Sequence, residues 1–246
     1  MNAIPVSLRS ALARVWLAAA LISACLPLAA IAEETAAAIN RDDPTALVQA
    51  TTDRLLAVTR QARDYAAEDP ERYYAAISGV LDPVLDMDYF ARGVMATYAG
   101  INRYRALQTD AERAAFRARI TRFAQAIRRV LFVKYADALL SFEGERIEVA
   151  PAIIAADDPD QASVVQTIYD STGKSYKAQY SLHRVKSGEW RVYNVIVEGI
   201  NMGQIYRSQF AEAVEHNGGD IDYVVDHWVD MMLTRDWKGN PEEGAK

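Results

Sequence analysis

Thiol chemistry is the first thing this sequence does without. Cys25 is its one cysteine, and it falls in an N-terminal stretch with the pattern of a leader. Arg9 and Arg14 come first, then an uncharged apolar run from Val15 to Ala24 that continues to Ile31, then Ala30-Ile31-Ala32 ahead of Glu33-Glu34. A basic start, an apolar run and small residues at the cut are the marks of a secretory signal peptide. Residues 1–32 are therefore expected to be removed and the remainder, 33–246, to be exported. Cleavage after Ala32 leaves no cysteine, which excludes a disulfide, a thiol nucleophile and a thiolate metal site.

Two other fates of this stretch are open at this point. The apolar run is close to spanning length and could stay as an anchor. Ile22-Ser23-Ala24-Cys25 also resembles a bacterial lipobox, which would make the chain a lipoprotein held at Cys25, although Leu26-Pro27-Leu28 continue the apolar run.

Positive charge is the second shortage. The formal net charge is −6, and losing Arg9 and Arg14 with no acid takes it to −8. Such a surface does not wrap nucleic acid. Catalytic motifs are also scarce. The three histidines, His183, His216 and His227, form no H-x-x-x-H pair, and no G-x-S-x-G elbow is present. Asp170-Ser171-Thr172-Gly173-Lys174-Ser175 has the tail of a phosphate loop, but Ile168 stands where its first glycine belongs. Strand patterns on both sides make it a hairpin turn. Glu198, at the end of an apolar run, is the best single candidate for proton transfer. Arg207 is its candidate partner, and an ion pair of this kind suits structure better than catalysis. No cofactor or metal is called for, and no enzyme.

Apolar residues recur at helical spacing from Asp43-Pro44 to about Tyr65, with Leu47, Thr51, Leu55, Val58 and Ala62 on one face. A second helix starts at Asp69-Pro70 and is broken by Asp82-Pro83; a third, interrupted early, is expected over 84–98. Thr109-Asp110-Ala111-Glu112 is a capping box that opens a long helix to about Ser141. The period then falls from 3.6 to 2. Strands are expected at Ile147–Val149, Val164–Tyr169, Tyr176–Leu182 and Trp190–Val197, the last with Trp190, Val192 and Ile196 on one face and Tyr193, Val195 and Val197 on the other. Asn201-x-x-Gln204 caps a further helix with Met202, Ile205, Tyr206 and Phe210 in a stripe, and Asp220 caps the last. The expected fold is α+β: a single domain with a four-stranded antiparallel meander packed with several helices.

Three segments together resemble the MlaC family of periplasmic phospholipid-binding proteins, also called toluene-tolerance proteins. They are Leu81-Asp82-Pro83-Val84-Leu85-Asp86-Met87-Asp88-Tyr89-Phe90-Ala91-Arg92-Gly93-Val94-Met95, the helix end Lys134-Tyr135-Ala136-Asp137-Ala138-Leu139, and Gly188 to Met202 followed by Tyr206-Arg207-Ser208-Gln209-Phe210. The likeness runs over about residues 45–235 in the right order. It implies an NTF2-like shape with an internal apolar pocket, and a periplasmic carrier that binds phospholipid acyl chains. It also implies two docking partners, an inner-membrane ABC transporter complex with its substrate-binding ring protein and an outer-membrane lipoprotein complex, with a role in outer-membrane lipid asymmetry. The residues expected to line the pocket are Leu85, Phe90, Val94, Phe123, Ile127, Leu131, Tyr180, Leu182, Val195, Val197, Met202, Ile205, Tyr206 and Phe210. Glu198, Gly199 and Arg207 are expected to serve as hinge and support. The alternatives are an accessory protein of the same fold for another apolar ligand, such as a hopanoid, and a hydrolase using Glu198.

Charge is segregated as well. Ten basic residues between Arg92 and Lys134 face only Asp110 and Glu112, whereas nine acids between Glu189 and Asp236 face three arginines. Either these are solvated helix faces or they steer a partner.

Overall fold

The computed structural model of the chain describes residues 39–140, 142 and 146–234. The leader, its cut at Ala32 and the Cys25 alternative lie outside them. Short acidic side chains start most of the helices by accepting an otherwise orphaned amide. Helix α1, Pro44–Ala62, is capped by Asp43, which accepts from Ala46 N at 2.8 Å, and α2, Pro70–Leu81, is capped by Asp69. Proline occupies the first turn of both, where its missing N–H costs nothing. Asp86 caps α3, Met87–Met95, so the third helix starts three residues later than its sequence pattern suggests. It also stops sooner: Ala96 sits at φ 48°, ψ −118°, and the chain continues as a 3-10 turn, Ala96–Ala99, and a short α4, Ile101–Ala106. In α5, Asp110–Leu140, Thr109 and Glu112 exchange the hydrogen bonds of a capping box. The Thr109 and Gln108 amides hold the Glu112 carboxyl below its ordinary pKa.

The four expected strands are β1, Arg146–Val149, β3, Gln161–Tyr169, β4, Ser175–Arg184, and β5, Trp190–Val197. Two short ones join them: β2, Ile153–Ile154, and β6, Ile200–Asn201. The order is β1-β3-β4-β5-β6, and the paired neighbours from β1 to β5 are antiparallel. β2 pairs with β3 beside β1, on the same edge, with Pro151 between the two pieces. The Asp170 turn is the β3–β4 hairpin: its carboxylate accepts from the Thr172 and Lys174 amides and the Thr172 hydroxyl. Helices α6, Met202–His216, and α7, Ile221–Leu233, follow, capped by Asn201 and Asp220.

The described residues form two compact units, each built from separated stretches of chain. Residues 39–85 and 136–200 make a sheet unit; residues 86–135 and 201–234 make a helical unit. In the sheet unit α1 packs on the inner face of the sheet. That face is Ala162, Val164, Gln166 and Ile168 from β3, Tyr176, Ala178, Tyr180 and Leu182 from β4, and Trp190, Val192, Val195 and Val197 from β5. The β5 set corrects the strict alternation read from sequence. Ser181 faces Asn194 while Leu182 faces Val192, so Tyr193 is an extra residue, a β-bulge. Beyond it the phase reverses, which brings Val195 and Val197 to the face of Trp190 and Val192 and leaves Ile196 half-buried opposite.

The helical unit closes on aromatic rings. Phe123, Phe210 and Trp228 meet with centroids 4.7, 5.2 and 5.7 Å apart, and Tyr98 adds an edge-to-face contact to Phe210. Each such pair adds about 0.5–1.5 kcal/mol beyond its buried area. Here the segregated charges find one another. Arg119 Nε donates to Asp222 Oδ1 at 2.7 Å, and Arg122 donates to Asp222 and Asp226 at 3.0 Å. Part of the basic run is therefore spent within the fold. Arg113 also pairs with Asp110, Arg117 donates to Tyr104 and Arg128 lies over the Phe132 ring.

Candidate functional site

Between α1 and the inner face of the sheet, the sheet unit leaves a gap. Leu47, Val48, Thr51, Thr52 and Leu55 of α1, Leu81 of α2, Val84 and Leu85 just after it, Tyr180 of β4 and Val192 of β5 surround a cavity of about 30 Å³. Thr51 and Thr52 face it from α1, and each returns its hydroxyl to the helix, donating to Leu47 O at 2.7 Å and Val48 O at 2.8 Å. The far wall is held by backbone pairing. Val192 N donates to Val84 O at 2.9 Å, and Leu85 bridges to Val192. At the start of α1, Arg41 O accepts from Trp190 N at 2.7 Å while its guanidinium reaches Pro83 O and Glu189. These ties fix the segment before α1 and the segment after α2 to the same strand.

A polar relay joins two of the lining side chains through Gln166, which does not line the cavity itself. Tyr180 Oη donates to Gln166 Oε1 at 2.8 Å, and Gln166 Nε2 donates to Thr52 Oγ1 at 2.7 Å. Burial pushes the Tyr180 hydroxyl pKa well above its ordinary range, so the phenol stays protonated and available as a donor.

Of the fourteen residues expected to line a pocket, Leu85 and Tyr180 line this one. Leu182, Val195 and Val197 are buried on the same sheet face without reaching it. Phe90, Val94, Phe123, Ile127, Met202, Tyr206 and Phe210 are buried in the helical unit, where Leu131 and Ile205 are half-buried. The contribution of α1 was not foreseen. Its one available signal was the run of hydroxyls, Thr51, Thr52 and Thr59, inside an otherwise apolar helical stripe.

Glu198 and Gly199 occupy the two-residue turn from β5 to β6, with φ of 49° and 80°. Both values are positive, as a primed hairpin turn requires, and glycine supplies the second without strain. The Glu198 carboxylate accepts from the Lys177 amide, and the Glu198 amide donates to Lys177 O at 2.9 Å. Arg207 Nε donates to Gly93 O at 2.9 Å. The expected Glu198–Arg207 ion pair is thus not how either side chain is satisfied. The Glu198 carboxylate, exposed and tied to a strand amide, is not held in the apolar cleft that a general acid needs. Among the described residues no cluster of His, Cys, Asp and Glu could hold a metal ion.

The model of the MlaC protein family matches residues 49–230. The toluene tolerance protein Ttg2D of Pseudomonas putida is 34% identical over 206 residues, which is 84% of this chain and 85% of that protein. The solved structure of a phospholipid-binding protein from Ralstonia solanacearum, in complex with a phospholipid, superposes with a TM-score of 0.61 at 18% identity, covering 78% of this chain and 99% of that one. At that identity the likeness speaks for the fold.

Proposed function

The chain belongs to the MlaC family, and from that premise we propose that it is a periplasmic phospholipid carrier, not an enzyme, with acyl chains entering between α1 and the sheet. The observation that carries this reading is the cavity itself, apolar on most of its wall and bounded by the first two helices, the segment after them and one sheet face. Its volume of about 30 Å³ is far below the roughly 300 Å³ at which ligand pockets begin. Admitting a chain therefore requires α1 and the Val84–Leu85 segment to draw back from the sheet. The ligand is expected to hold them apart, at roughly 0.8 kcal/mol for each methylene it buries.

The route follows from the same reading. The carrier collects lipid at an outer-membrane lipoprotein complex or at an inner-membrane ABC transporter complex with its ring protein, and delivers it to the other. Export by the 1–32 leader sets it free between the two membranes. Extraction of the purified protein with organic solvent, followed by mass spectrometry, should release intact phospholipid. A preparation that yields none, and takes up none from phospholipid vesicles, overturns the carrier. N-terminal sequencing should find Glu33; a diacylated Cys25 would replace the free carrier with an anchored one.

A further inference from the structure

In the helical unit Arg119 and Arg122 answer to acids of α7, whereas among the described residues the two arginines of α4 answer to none. From Tyr89 to Thr109 the chain carries Arg92, Arg103 and Arg105 and no acid. The next two acids are engaged locally: Asp110 pairs with Arg113 at 3.0 Å, and Glu112 accepts from the Gln108 and Thr109 amides. Helix α4 buries nothing, and every residue of it but Tyr104 is exposed. Tyr104 ties it to α5, with its ring 5.7 Å from Phe116 and its hydroxyl accepting from Arg117 at 2.9 Å. That bond holds the exposed Arg117 guanidinium beside α4. The Arg103 guanidinium lies over the Tyr98 ring, 5.5 Å from its centre. Arg105 has no partner among the described residues. Ile101, four residues before it and so on the same face, is 58% exposed.

Three guanidiniums around one exposed isoleucine, in a chain of net charge −6, suit a partner that is negative at its surface and apolar just beneath. A stable protein interface takes about 1,000 Å² with an apolar centre, and α4 offers one large apolar side chain. An anionic bilayer needs no such centre: its phosphates take the guanidiniums and its acyl boundary takes the isoleucine. We propose that α4, with Arg103, Arg105 and Arg117 around Ile101, is the face by which the protein rests on an anionic phospholipid surface. Acid-rich faces of the chain are repelled by the same surface, which sets the orientation. A few cations and one side chain make the attachment weak and reversible. The proposal goes beyond the carrier reading and does not need it.

The test is co-sedimentation of the purified exported protein with vesicles, one set of phosphatidylcholine alone and one of phosphatidylcholine and phosphatidylglycerol in equal parts. Protein should sediment with the anionic set at low salt and stay in solution with the neutral set. In about 1 M salt, where charges are screened beyond roughly 3 Å, binding should fall away. Arg103→Gln with Arg105→Gln should weaken binding about 25-fold, at about fivefold for each arginine near an anionic surface. Ile101→Ser should weaken it by up to about tenfold. These side chains are exposed, so the melting temperature should hold in both variants. Arg60→Gln with Lys186→Gln removes the same charge from exposed positions of the sheet unit and should change binding less than twofold. Equal binding to both sets of vesicles, binding to neither, or an equal loss in the Arg60 and Lys186 variant returns α4 to a solvated face. Retention on polyglutamate beads without any binding to the anionic vesicles would assign the face to an acidic protein instead. A protein that yields no lipid on extraction yet sediments as described would overturn the carrier and leave this face standing.

Discussion

The two units answer the same problem, burying apolar surface, in opposite ways. The helical unit fills its centre with large rings, seals its rim with paired charges, and keeps Trp228 and Phe210 wholly buried. The sheet unit puts threonine, glutamine and tyrosine where it could have put leucine, and accepts a gap. Close packing of the first kind leaves no room for a guest. The second kind gives up some packing energy and keeps a surface that a ligand can complete. Composition alone does not separate them, since both are rich in buried aliphatics; the difference lies in what stands among those aliphatics.

The contrast can be broken most forcefully at Phe210. Phe210→Ala should lower unfolding stability by about 3–5 kcal/mol, read by chemical denaturation, because three ring partners cannot close over the void. A cost near 1 kcal/mol would mean that the helical unit is no better packed than the sheet unit. A smaller effect of opposite sign is expected at Ala96, whose φ of 48° with ψ of −118° is a conformation that glycine adopts freely. Ala96→Gly should raise the midpoint by an amount worth about 1 kcal/mol, and a fall would show that its methyl packing outweighs the strain.

The charged rim is worth less. The hydrogen bond from Arg119 holds the Asp222 carboxyl below its usual pKa. Its stabilisation is thus complete above the ordinary carboxylate range near pH 4 and is lost as pH falls through the lowered folded value. The pair is half-exposed, so the effect is at most about 1 kcal/mol. Asp222→Asn should flatten that part of the acid limb of a melting curve, and an unchanged limb would remove the pair from the account. The smallest effect on stability sharpens the comparison best. Val192→Phe adds bulk against the cavity and should cost less than the roughly 1–3 kcal/mol of ordinary overpacking. It should also strip the protein of bound lipid. A large loss of melting temperature with lipid retained would make Val192 plain core.

Much of the frame could be read before any coordinates. Asp43, Asp69, Asp220 and the Thr109–Glu112 pair mark helix starts because capping is local chemistry between residues three apart. The main strands show for the same reason, in their period of two. What stayed hidden is set at longer range. The bulge at Tyr193 obeys the register with β4, which nothing inside β5 announces, and it alone reverses the faces of Val195 and Val197. The pair of strands β2 and β6 are too short to carry a period. The cavity wall combines α1, the end of α2 and two strands, and only the odd hydroxyls of α1 hinted at it. The family motif pointed instead to the well-filled stripe of α6, where Tyr206 and Phe210 lie deepest.

The interrupted edge of the sheet bears on how this chain behaves in a crowd of its own copies. β3 meets β1 and β2 along one side, and Pro151 separates the two pieces. Ile153 is 69% exposed, a greasy residue on a strand that ends the sheet. An unbroken edge of that kind would offer a row of free amides on which a neighbouring chain could build. Proline has no amide to offer, two-residue β2 is too short to template, and Asp157, Asp158 and Asp160 follow at once with like charge. The broken edge is thus a guard against polymerising through the sheet.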